Sequence, residues 1–598
     1  MSLFMELSPE QLGAKLKFIN NYIQPTNAAD VSLVDANANI AQKNVATLAQ
    51  EIHKDINVQL NRALMTNKIS ELFGTELAQE YIRQLENHEI YKHDETHPFF
   101  PYCASITMYP FLLNGLTTLG GESLAPKHLD SFCGSFVNLV FAISSQFAGA
   151  CGTPEFLLYF DYFARLDYGD NYLLTHKSEV ENHLQHVVYA LNQPAAARGY
   201  QSIFWNISVF DNNFLSSLFA DFVFPDGTRP DFASVMNLEE FFLSWFNQER
   251  TKAILTFPVV TVAMLTQNNQ PKDDEFAKMC AVQMHEGNSF FIYMSESVDS
   301  LSSCCRLRNE LTDNTFSNTS GAGGVATGSI NVITLNMNRL VLEKRDLLTE
   351  INKIHKYHVA YRKIVEDFLN ANLLPVYSAG YININKQFLT IGINGMLEAA
   401  ESMGITPGNN LEYIQFLQQQ LKIIYDANRA ARQEYGYLFN TEFVPAENLG
   451  VKNAKWDKQA GYQINRDCYN SYFYPVEDDG INVVDKFILH GREITQYLDG
   501  GSALHLNTDG YLTVEGYLKL FNLAAKTGCN YWTTNVKVTY CCDCSTVNKL
   551  TLDYCPQCSS KNVRHATRVI GYLKLIDNFS KERRIEEKMR HYHPMPFK

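Results

Sequence analysis

Short apolar segments typical of buried strands alternate along this chain with long segments of helical periodicity. Residues 255–262 and 330–335 are rich in β-branched side chains, whereas residues 340–370 and 411–424 carry apolar residues at helical spacing. Strands separated by long helical segments indicate a parallel sheet with crossover helices, which must be covered on both faces. A closed α/β barrel is the natural way to cover so many central strands. Residues from about 39 to 87 are also predicted to be mostly helical.

The composition sets limits on what the chain can be. It has 598 residues, of which 46% are hydrophobic and 19% charged, so it can bury a large core and extensive disorder is excluded. The length fits either about four ordinary domains or one barrel of several hundred residues. The net charge of −14 argues against a protein that coats nucleic acid, although a local basic pocket for a phosphorylated small molecule stays open. Since the sequence shows neither a signal peptide nor a run of about 18 apolar residues, we expect a soluble, cytoplasmic protein.

Four cysteines near the C-terminus have the spacing of a metal site. Cys541-x2-Cys544 and Cys555-x2-Cys558 form two knuckles separated by ten residues, and together they offer four thiolates to one tetrahedral ion. Because all four ligands come from the protein, we expect a structural Zn²⁺ site. A reduced thiol cluster and an iron–sulfur cluster are the alternatives. Cys542 adjoins the first knuckle and could replace Cys541 as the ligand.

A tandem cysteine pair, Cys304 and Cys305, stands in the middle of the chain and precedes a segment without bulk or periodicity. Residues 311–329 are rich in Gly, Ser, Thr and Asn, which predicts a flexible loop. A surface linker is one interpretation, and a loop that closes over a substrate or an effector is the other.

The segment after the cysteine knuckles, residues 567–573, reads Thr-Arg-Val-Ile-Gly-Tyr-Leu. By pattern alone it is a short apolar strand or a turn broken by one glycine. Its Arg-Val-x-Gly-Tyr order resembles the C-terminal signature of glycyl radical enzymes. Together with the preceding four-cysteine ribbon, it resembles the anaerobic (class III) ribonucleoside-triphosphate reductases. Glycine suits a carbon-centred radical, because the α-carbon can become planar without a clash and the flanking amides delocalise the unpaired electron.

Other segments carry the same resemblance in the same chain order, and together they extend from residue 35 to the C-terminus. They are His93-Asp94 followed by Pro98 and Cys103, then residues 114–115, 303–306, 333–336, 392–398 and 444–449. The joint order is far more specific than any single match. The resemblance implies a ten-stranded α/β barrel of the ribonucleotide reductase type. The expected division is an N-terminal helical part (1–90), the barrel (91–530), a zinc ribbon (531–562) and a radical loop with its tail (563–598).

The resemblance also implies the roles of individual residues. Gly571 carries the radical, Cys305 at the tip of a finger loop becomes a thiyl radical, and Cys103 protonates the departing 2′-hydroxyl. Without the resemblance, Cys103 would be read as a small buried hydrophobe. Further residues are expected around the substrate, whose phosphates helix N-termini or glycine-rich turns near 392–395 or 445–449 would hold. These expected substrate-contacting residues are Ser329, Asn331, Asn394, Glu447 and Asn448.

The partners follow from the same resemblance. They are ribonucleoside triphosphates as substrates, deoxynucleotide and ATP effectors, a second copy of the chain in a homodimer, and a separate activating enzyme that uses S-adenosylmethionine and an iron–sulfur cluster. No membrane or direct nucleic-acid contact is expected. The charged helix predicted at 581–590 is interpreted as a solvated face, with docking of the activating enzyme as the alternative.

The electron source is predicted from two departures from the family pattern. Relatives that oxidise formate carry an asparagine where Ser329 stands here, and a methionine shortly before the radical glycine, which is absent between Cys558 and Gly571. This sequence therefore resembles the branch that is reduced by thioredoxin or another redoxin through a cysteine pair. Cys103 is one expected member, and its partner is Cys304 or another cysteine such as Cys468.

Three other functions are weighed beside this one. The same reduction with formate as the reductant is the first, and another glycyl radical enzyme of the lyase or dehydratase type is the second. The second would need no cysteine ribbon. A zinc-ribbon binding protein is the third, and the acidic charge and the large predicted barrel argue against it.

Overall fold

The computed structural model describes residues 6–594 except 33–41, 99, 196–200, 289, 299, 303–307, 311–325, 444–447 and 569–571. The helices in these residues are α1 (Pro9–Tyr22), α2 (Val45–Glu51), α3 (Lys54–Phe73), α4 (Thr75–Glu86), α5 (Tyr109–Asn114), α6 (Leu129–Ser144), α7 (Phe156–Tyr168), α8 (Tyr172–Thr175), α9 (Lys177–Leu191), α10 (Asn212–Leu218), α11 (Phe232–Glu249), α12 (Asp274–His285), α13 (Met337–Leu342), α14 (Leu347–Asn370), α15 (Pro375–Ser378), α16 (Met396–Ser402), α17 (Leu411–Tyr435), α18 (Leu449–Gln459), α19 (Val483–Leu489), α20 (Arg492–Thr495), α21 (Val514–Thr527) and α22 (Lys581–Met589).

The strands are β1 (Ile90–Lys92), β2 (Cys103–Ser105), β3 (Cys151–Gly152), β4 (Trp205–Phe210), β5 (Val259–Gln267), β6 (Gln270–Pro271), β7 (Phe291–Ser295), β8 (Ser300–Ser302), β9 (Arg308–Glu310), β10 (Thr327–Asn336), β11 (Gln387–Asn394), β12 (Leu438–Phe443), β13 (Gly501–Ser502), β14 (Leu504–Thr508), β15 (Tyr531–Val536), β16 (Val538–Cys541), β17 (Val547–Asn548), β18 (Val563–Arg568) and β19 (Leu573–Leu575). Among the described residues, no helix has the length and apolar character needed to cross a membrane.

The main sheet consists of two parallel halves joined by two antiparallel seams. Strands β2, β3, β4, β5 and β7 run parallel in one half. Strands β10, β11, β12 and β13 run parallel in the other half, as do β14 and β15. The seams are the antiparallel pairs β2–β10 and β7–β15. The strand order runs from β13 to β14, and only Ala503 separates these two along the chain, so the sheet nearly closes on itself.

If β13 and β14 are counted as one interrupted strand, the described ring contains ten strands, as the sequence predicts. Each half follows the strand–helix alternation seen in the sequence, and the crossover helices cover the outside of the ring.

The two faces of the ring differ in polarity because side chains alternate along each strand. The outer face packs against helices: Trp205 of β4 contacts Phe156 of α7, and Trp532 of β15 contacts Phe487 of α19, with ring centroids 5.3 Å apart in each pair. The opposite, inner face carries buried polar side chains, which are Cys103, Asn206, Ser208, Thr261, Ser329, Thr390, Asn440, His505, Asn507 and Asn535. A polar interior of this kind is suited to holding a ligand rather than to forming a packed core.

Several predicted elements are confirmed with shifted ends. The helical pattern before residue 87 is α2, α3 and α4, and the pattern at 340–370 is α13 and α14, interrupted by a turn in which Lys344 has a φ of +52°. The strand predicted at 255–262 begins only at Val259, because Pro258 has no N–H to donate to a ladder. The loop prediction for 311–329 is wrong at its end, where residues 327–329 form the start of β10, and residues 311–325 lie outside the described part.

A buried carboxylate joins the end of β10 to α18. Asp457 of α18 is fully buried and accepts hydrogen bonds from Arg339 Nε at 2.8 Å, Asn336 Nδ2 at 3.2 Å and Tyr469 Oη at 2.6 Å. A second guanidinium nitrogen of Arg339, Nη2, also lies 2.6 Å from the Asp457 carboxylate. These bonds hold α13, α18 and the segment around Tyr469 together at the ends of β10 and β11.

We expect Asp457→Asn to lower the free energy of unfolding by about 3 kcal/mol, because it removes the nearer and fully buried counterion of Arg339 and leaves only Glu343, at 3.5 Å. The matched control is Asp467→Asn, whose partner Lys458 lies 2.6 Å away at an exposed site. That change should cost less than about 1 kcal/mol. Thermal unfolding of both variants measures the difference, and equal midpoints would show that the Asp457 network does not stabilise the fold.

Candidate active site

Cys103 lies on the inner wall of the barrel at a seam between the two halves. It is the first residue of β2, it is 1% exposed, and it stands directly opposite Ser329 of β10. Gln387 Nε2 donates to its carbonyl at 3.2 Å. Gly328, with a φ of +155°, lets the two strands approach, because a Cβ there would lie 2.3 Å from the Cys103 carbonyl oxygen. The seam thus fixes the backbone that carries this thiol.

Ser329 and Asn331, both expected near the substrate, lie on opposite faces of the sheet. The Ser329 hydroxyl is within 2.8 Å of Thr390 Oγ1 on the inner face and donates to the Asn331 carbonyl at 3.1 Å. A β-bulge between the two residues turns Asn331 outward. Its Nδ2 is 3.1 Å from Nδ1 of His358 on α14, and burial lowers the pKa of His358 well below its usual range. The expected substrate contact of Asn331 is therefore not supported.

Asn394 and Asn448 lie where the ends of β11 and β12 meet the start of α18. Asn394 Oδ1 accepts from Asn453 Nδ2 of α18 at 2.8 Å, and Asn394 Nδ2 has no hydrogen-bond partner among the described residues. Asn448 precedes α18 with a φ of +57°, and its Oδ1 accepts from Ser580 Oγ at 3.0 Å. Glu447 lies outside the described residues, as do 444–446. The two asparagines are thus brought to the same end of the barrel, and their contact with phosphates stays a prediction.

The segment that carries Gly571 is anchored on both sides, although Gly571 itself lies outside the described residues. On the N-terminal side, Thr567 Oγ1 and the Arg568 N–H donate to Asn535 Oδ1 at 3.0 and 3.2 Å, and Asn535 Nδ2 donates to Asn507 Oδ1 at 2.8 Å. Burial, together with the nearby Arg250, lowers the pKa of Arg568 to about 9.

On the C-terminal side, Tyr572 is 2% exposed and packs against Phe204 and Phe257, with ring centroids at 4.8 and 5.6 Å. Asn535 lies near the end of β15, whereas Phe204 and Phe257 precede β4 and β5. Because the two halves of the barrel run in opposite directions, these positions lie at the same end of the ring.

The strands that flank Cys304 and Cys305 lie at the end of the barrel opposite to Arg568 and Tyr572. Strand β7 ends at Ser295, and β8 and β9 then pair antiparallel as a hairpin before β10 begins. Both cysteines lie between β8 and β9, in residues 303–307, outside the described part. The predicted finger loop is thus consistent with a hairpin rooted at the end of the ring away from Arg568 and Tyr572.

The four spaced cysteines converge as the sequence predicts. The sulfurs of Cys541 and Cys558 are 3.6 Å apart, as are those of Cys544 and Cys555, and all four lie within 4.8 Å of one another. A tetrahedron of thiolates about 2.3 Å from zinc has edges of about 3.8 Å, so this cluster can hold Zn²⁺. Cys542 is not part of the cluster, and the geometry therefore favours Cys541 as the ligand.

The predicted charged helix is present as α22, but its interpretation as a solvated face is wrong for one side. Counted over the whole residue, Arg583 is 1% exposed and Arg590, directly after the helix, is 6% exposed. Both form ion pairs with Glu586 at the i,i+3 and i,i+4 spacing, and burying the cations requires such a counterion. The Arg-x2-Glu-x3-Arg spacing could have indicated these buried ion pairs, but solvent-exposed helices carry the same spacing.

An N-terminal segment holds the start of α22. Asn27 Nδ2 donates to the carbonyls of Asp577 and Phe579, each at 2.8 Å. Asp30 accepts from the Lys581 N–H at 2.7 Å and from Arg584 Nη2 at 2.9 Å. Nothing in the sequence pattern indicated this contact, because its residues are about 550 positions apart.

Comparison with known proteins identifies the architecture. Residues 51–593 match the family model described as anaerobic ribonucleoside-triphosphate reductase. A solved anaerobic ribonucleotide reductase superposes with a TM-score of 0.86 at 26% identity, covering 98% of this chain and 94% of the other. The Thermotoga maritima anaerobic ribonucleotide reductase in complex with dATP and CTP gives 0.82 at 26% identity, covering 98% of this chain and all of the other. No curated protein matches the chain.

A more distant likeness concerns the fold alone. Hydroxyproline dehydratase from Clostridioides difficile superposes with a TM-score of 0.51 at 9% identity, over 98% of this chain and 97% of the other. Its barrel is similar, but so low an identity carries no functional argument.

Proposed function

The chain belongs to the anaerobic ribonucleoside-triphosphate reductase family, and from this premise we propose the roles of its residues, its substrates and its electron source. Membership makes it an oxidoreductase that reduces ribonucleotides by a glycyl radical mechanism, and it removes lyase, dehydratase and binding-protein functions from consideration. The observation that supports the assigned roles best is the position of Cys103, which lies on the inner wall opposite Ser329. The Gly571 segment and the Cys304–Cys305 segment are rooted at opposite ends of the same ring.

The proposed reaction begins with a radical on Gly571, generated by a separate activating enzyme. The glycyl α-carbon takes a hydrogen atom from the Cys305 thiol, and the resulting thiyl radical takes the 3′ hydrogen of the ribonucleotide. Cys103 protonates the 2′-hydroxyl, which leaves as water. Two thiols then supply two electrons and become a disulfide, and Cys305 returns the hydrogen to C3′. A thioredoxin or another redoxin reduces the disulfide by thiol–disulfide exchange.

We expect Gly571→Ala to abolish both the radical and turnover, whereas Cys305→Ser retains the radical and loses turnover. The reason is that glycine holds the unpaired electron at rest and the thiol only relays it to the substrate. Anaerobic activation followed by electron paramagnetic resonance and a ribonucleotide reduction assay measures both properties. The control is Cys280→Ser, at a buried core position of α12, which should retain both. A full radical signal in Gly571→Ala would disprove the assignment.

Cys304 is proposed as the partner of Cys103 in the redox pair, in preference to Cys468. Cys468 is 4% exposed, its thiol donates to the Tyr469 carbonyl at 3.5 Å, and burial raises its pKa well above the usual range. A thiol with so raised a pKa forms little thiolate, which disfavours it in thiol–disulfide exchange. Cys304 adjoins Cys305 in the sequence, so it lies on the same segment as the proposed thiyl position.

We expect thioredoxin with its reductase to support many turnovers, and formate alone to support none. In Cys304→Ser, the glycyl radical should form but even the first turnover should fail, because its two electrons come from oxidation of the Cys103–Cys304 pair to a disulfide. Cys468→Ser is the matched control and should behave like the wild type. Rapid-quench measurement of deoxynucleotide per radical distinguishes the first turnover from later ones. Sustained turnover with formate and no redoxin would contradict the proposed electron source.

The proposed metal of the cysteine cluster is Zn²⁺, held by Cys541, Cys544, Cys555 and Cys558. Its chemistry is structural, because four protein thiolates leave no open position. Only Lys537 separates β15 from the ribbon, which begins with β16 and ends with β18 at Arg568. The ribbon therefore determines how the chain enters the Gly571 segment.

We expect about one zinc per chain in purified protein, with Cys541→Ser losing most of it and Cys542→Ser retaining it, since only Cys541 belongs to the sulfur cluster. Elemental analysis of the two variants beside the wild type measures this difference. Equal zinc loss in both variants would show that Cys542 shares the ligation, and absence of zinc from the wild type would overturn the zinc assignment.

The substrates are proposed to be ribonucleoside triphosphates, with deoxynucleotide or ATP effectors and a homodimeric assembly. The family description supports the triphosphate level, and the Thermotoga maritima relative was solved with dATP and CTP. Asn394, whose Nδ2 has no hydrogen-bond partner in the described part of the chain, and Asn448 before α18 are the side chains proposed to contact the phosphates.

A further inference from the structure

Arg590 makes a direct contact with the root of the radical loop. It follows α22, its side chain is 1% exposed, and one of its guanidinium nitrogens donates to the backbone carbonyl of Arg568 at 2.9 Å. Its other terminal nitrogen lies 3.1 Å from Glu586 Oε1. Arg568 is the last described residue before 569–571. Its N–H is held by Asn535, so both backbone polar groups of Arg568 are bound, one to the barrel and one to the tail.

Burying two arginines beside one glutamate carries a desolvation cost, which makes this arrangement a poor one if it only stabilises the fold. Arg583 and Arg590 share the single carboxylate of Glu586. Burial by itself would raise the pKa of Glu586, but the two guanidinium groups lower it below its usual range. Apolar residues at buried ion pairs often stabilise a fold equally well or better. A buried arginine here supplies what an apolar residue cannot, namely a rigid donor aimed at a carbonyl oxygen.

The position of Arg590 relative to the barrel is fixed from several sides. Ser580, the N-cap of α22, bonds Asn448, and the N-terminal Asp30 caps the first turn. Glu587 pairs with Lys537 at 2.5 Å, at the junction of β15 and the ribbon. Beyond Arg590, the His593 N–H donates to the Asn507 carbonyl at 3.0 Å. The guanidinium group is thus placed by the barrel itself and not by the loop that it holds.

We propose that Arg590 is a positioning residue, which fixes the root of the radical loop through the Arg568 carbonyl and so sets the approach of Gly571 to Cys305. This inference rests on the radical role of Gly571 in the proposed function. Hydrogen transfer between two fixed atoms depends steeply on their separation, and misplacement by about 1 Å costs up to roughly a hundredfold in rate. Arg590 touches neither substrate nor reacting atoms and acts through the loop alone.

The test compares Arg590→Gln, Arg590→Lys and the control Lys588→Gln in the full-length chain. Lys588 is exposed on the same helix and makes no ion pair among the described residues. Radical content is counted by electron paramagnetic resonance, and turnover is expressed per radical. We expect a tenfold to roughly hundredfold loss per radical in Arg590→Gln with KM unchanged, a smaller loss in Arg590→Lys, and wild-type behaviour in Lys588→Gln.

A second measurement does not depend on activation. Hydrogen–deuterium exchange of the segment around 566–575 in unactivated protein should be faster in Arg590→Gln by roughly tenfold, with the ribbon strands β16 and β17 unchanged. If Arg590→Gln does not fold, Arg590→Lys is judged by both measurements. Wild-type turnover per radical with wild-type exchange, or a turnover loss only in proportion to lost radical, would overturn the positioning role. Absence of a glycyl radical from the wild type would instead overturn the proposed function.

Discussion

The antiparallel seam between β2 and β10 is the constraint on which the rest of the site depends. Within each half, parallel strands and crossover helices repeat a familiar arrangement, but the seam brings together strands more than 200 residues apart. It needs a close backbone approach, which Gly328 permits. Once the seam is formed, Cys103 faces inward opposite Ser329, and the two halves run in opposite directions. Because the halves are antiparallel, the Gly571 segment and the Cys304–Cys305 segment are rooted at opposite ends of the polar interior.

The sequence predicted much of the architecture because its information was local or carried by spacing. Strand–helix alternation predicted a closed α/β barrel, and two knuckles predicted a four-sulfur cluster. Other features depend on long-range packing. The resemblance implied that Asn331 faces the substrate, but a bulge after Ser329 turns its side chain to the outer face. The choice between Cys541 and Cys542 likewise required three-dimensional positions, since the two cysteines are adjacent in the chain.

The C-terminal helix α22 is a second feature that local sequence does not predict, and here the reason is electrostatic. A helix rich in Lys, Arg and Glu has the composition of a solvated surface, and composition alone favours that interpretation. Here α22 and the residue directly after it bury two arginines around one glutamate, and the contacts that make this burial tolerable come from distant parts of the chain. Asn27 and Asp30 hold its start, and the carbonyl of Arg568 accepts a bond at its end. No local pattern contains those partners.

The junction at Ala503 has a consequence for the time before the structure is complete. Because β13 and β14 are consecutive in the chain, closing the ring leaves the main sheet without a long free edge. Unpaired strand edges are templates for pairing with other molecules. Until the seams form, however, each half is an open parallel sheet whose partner strands lie far away in sequence, and such pairings form slowly. The risk of aggregation is therefore concentrated in the newly synthesised chain, and the completed ring is largely free of it.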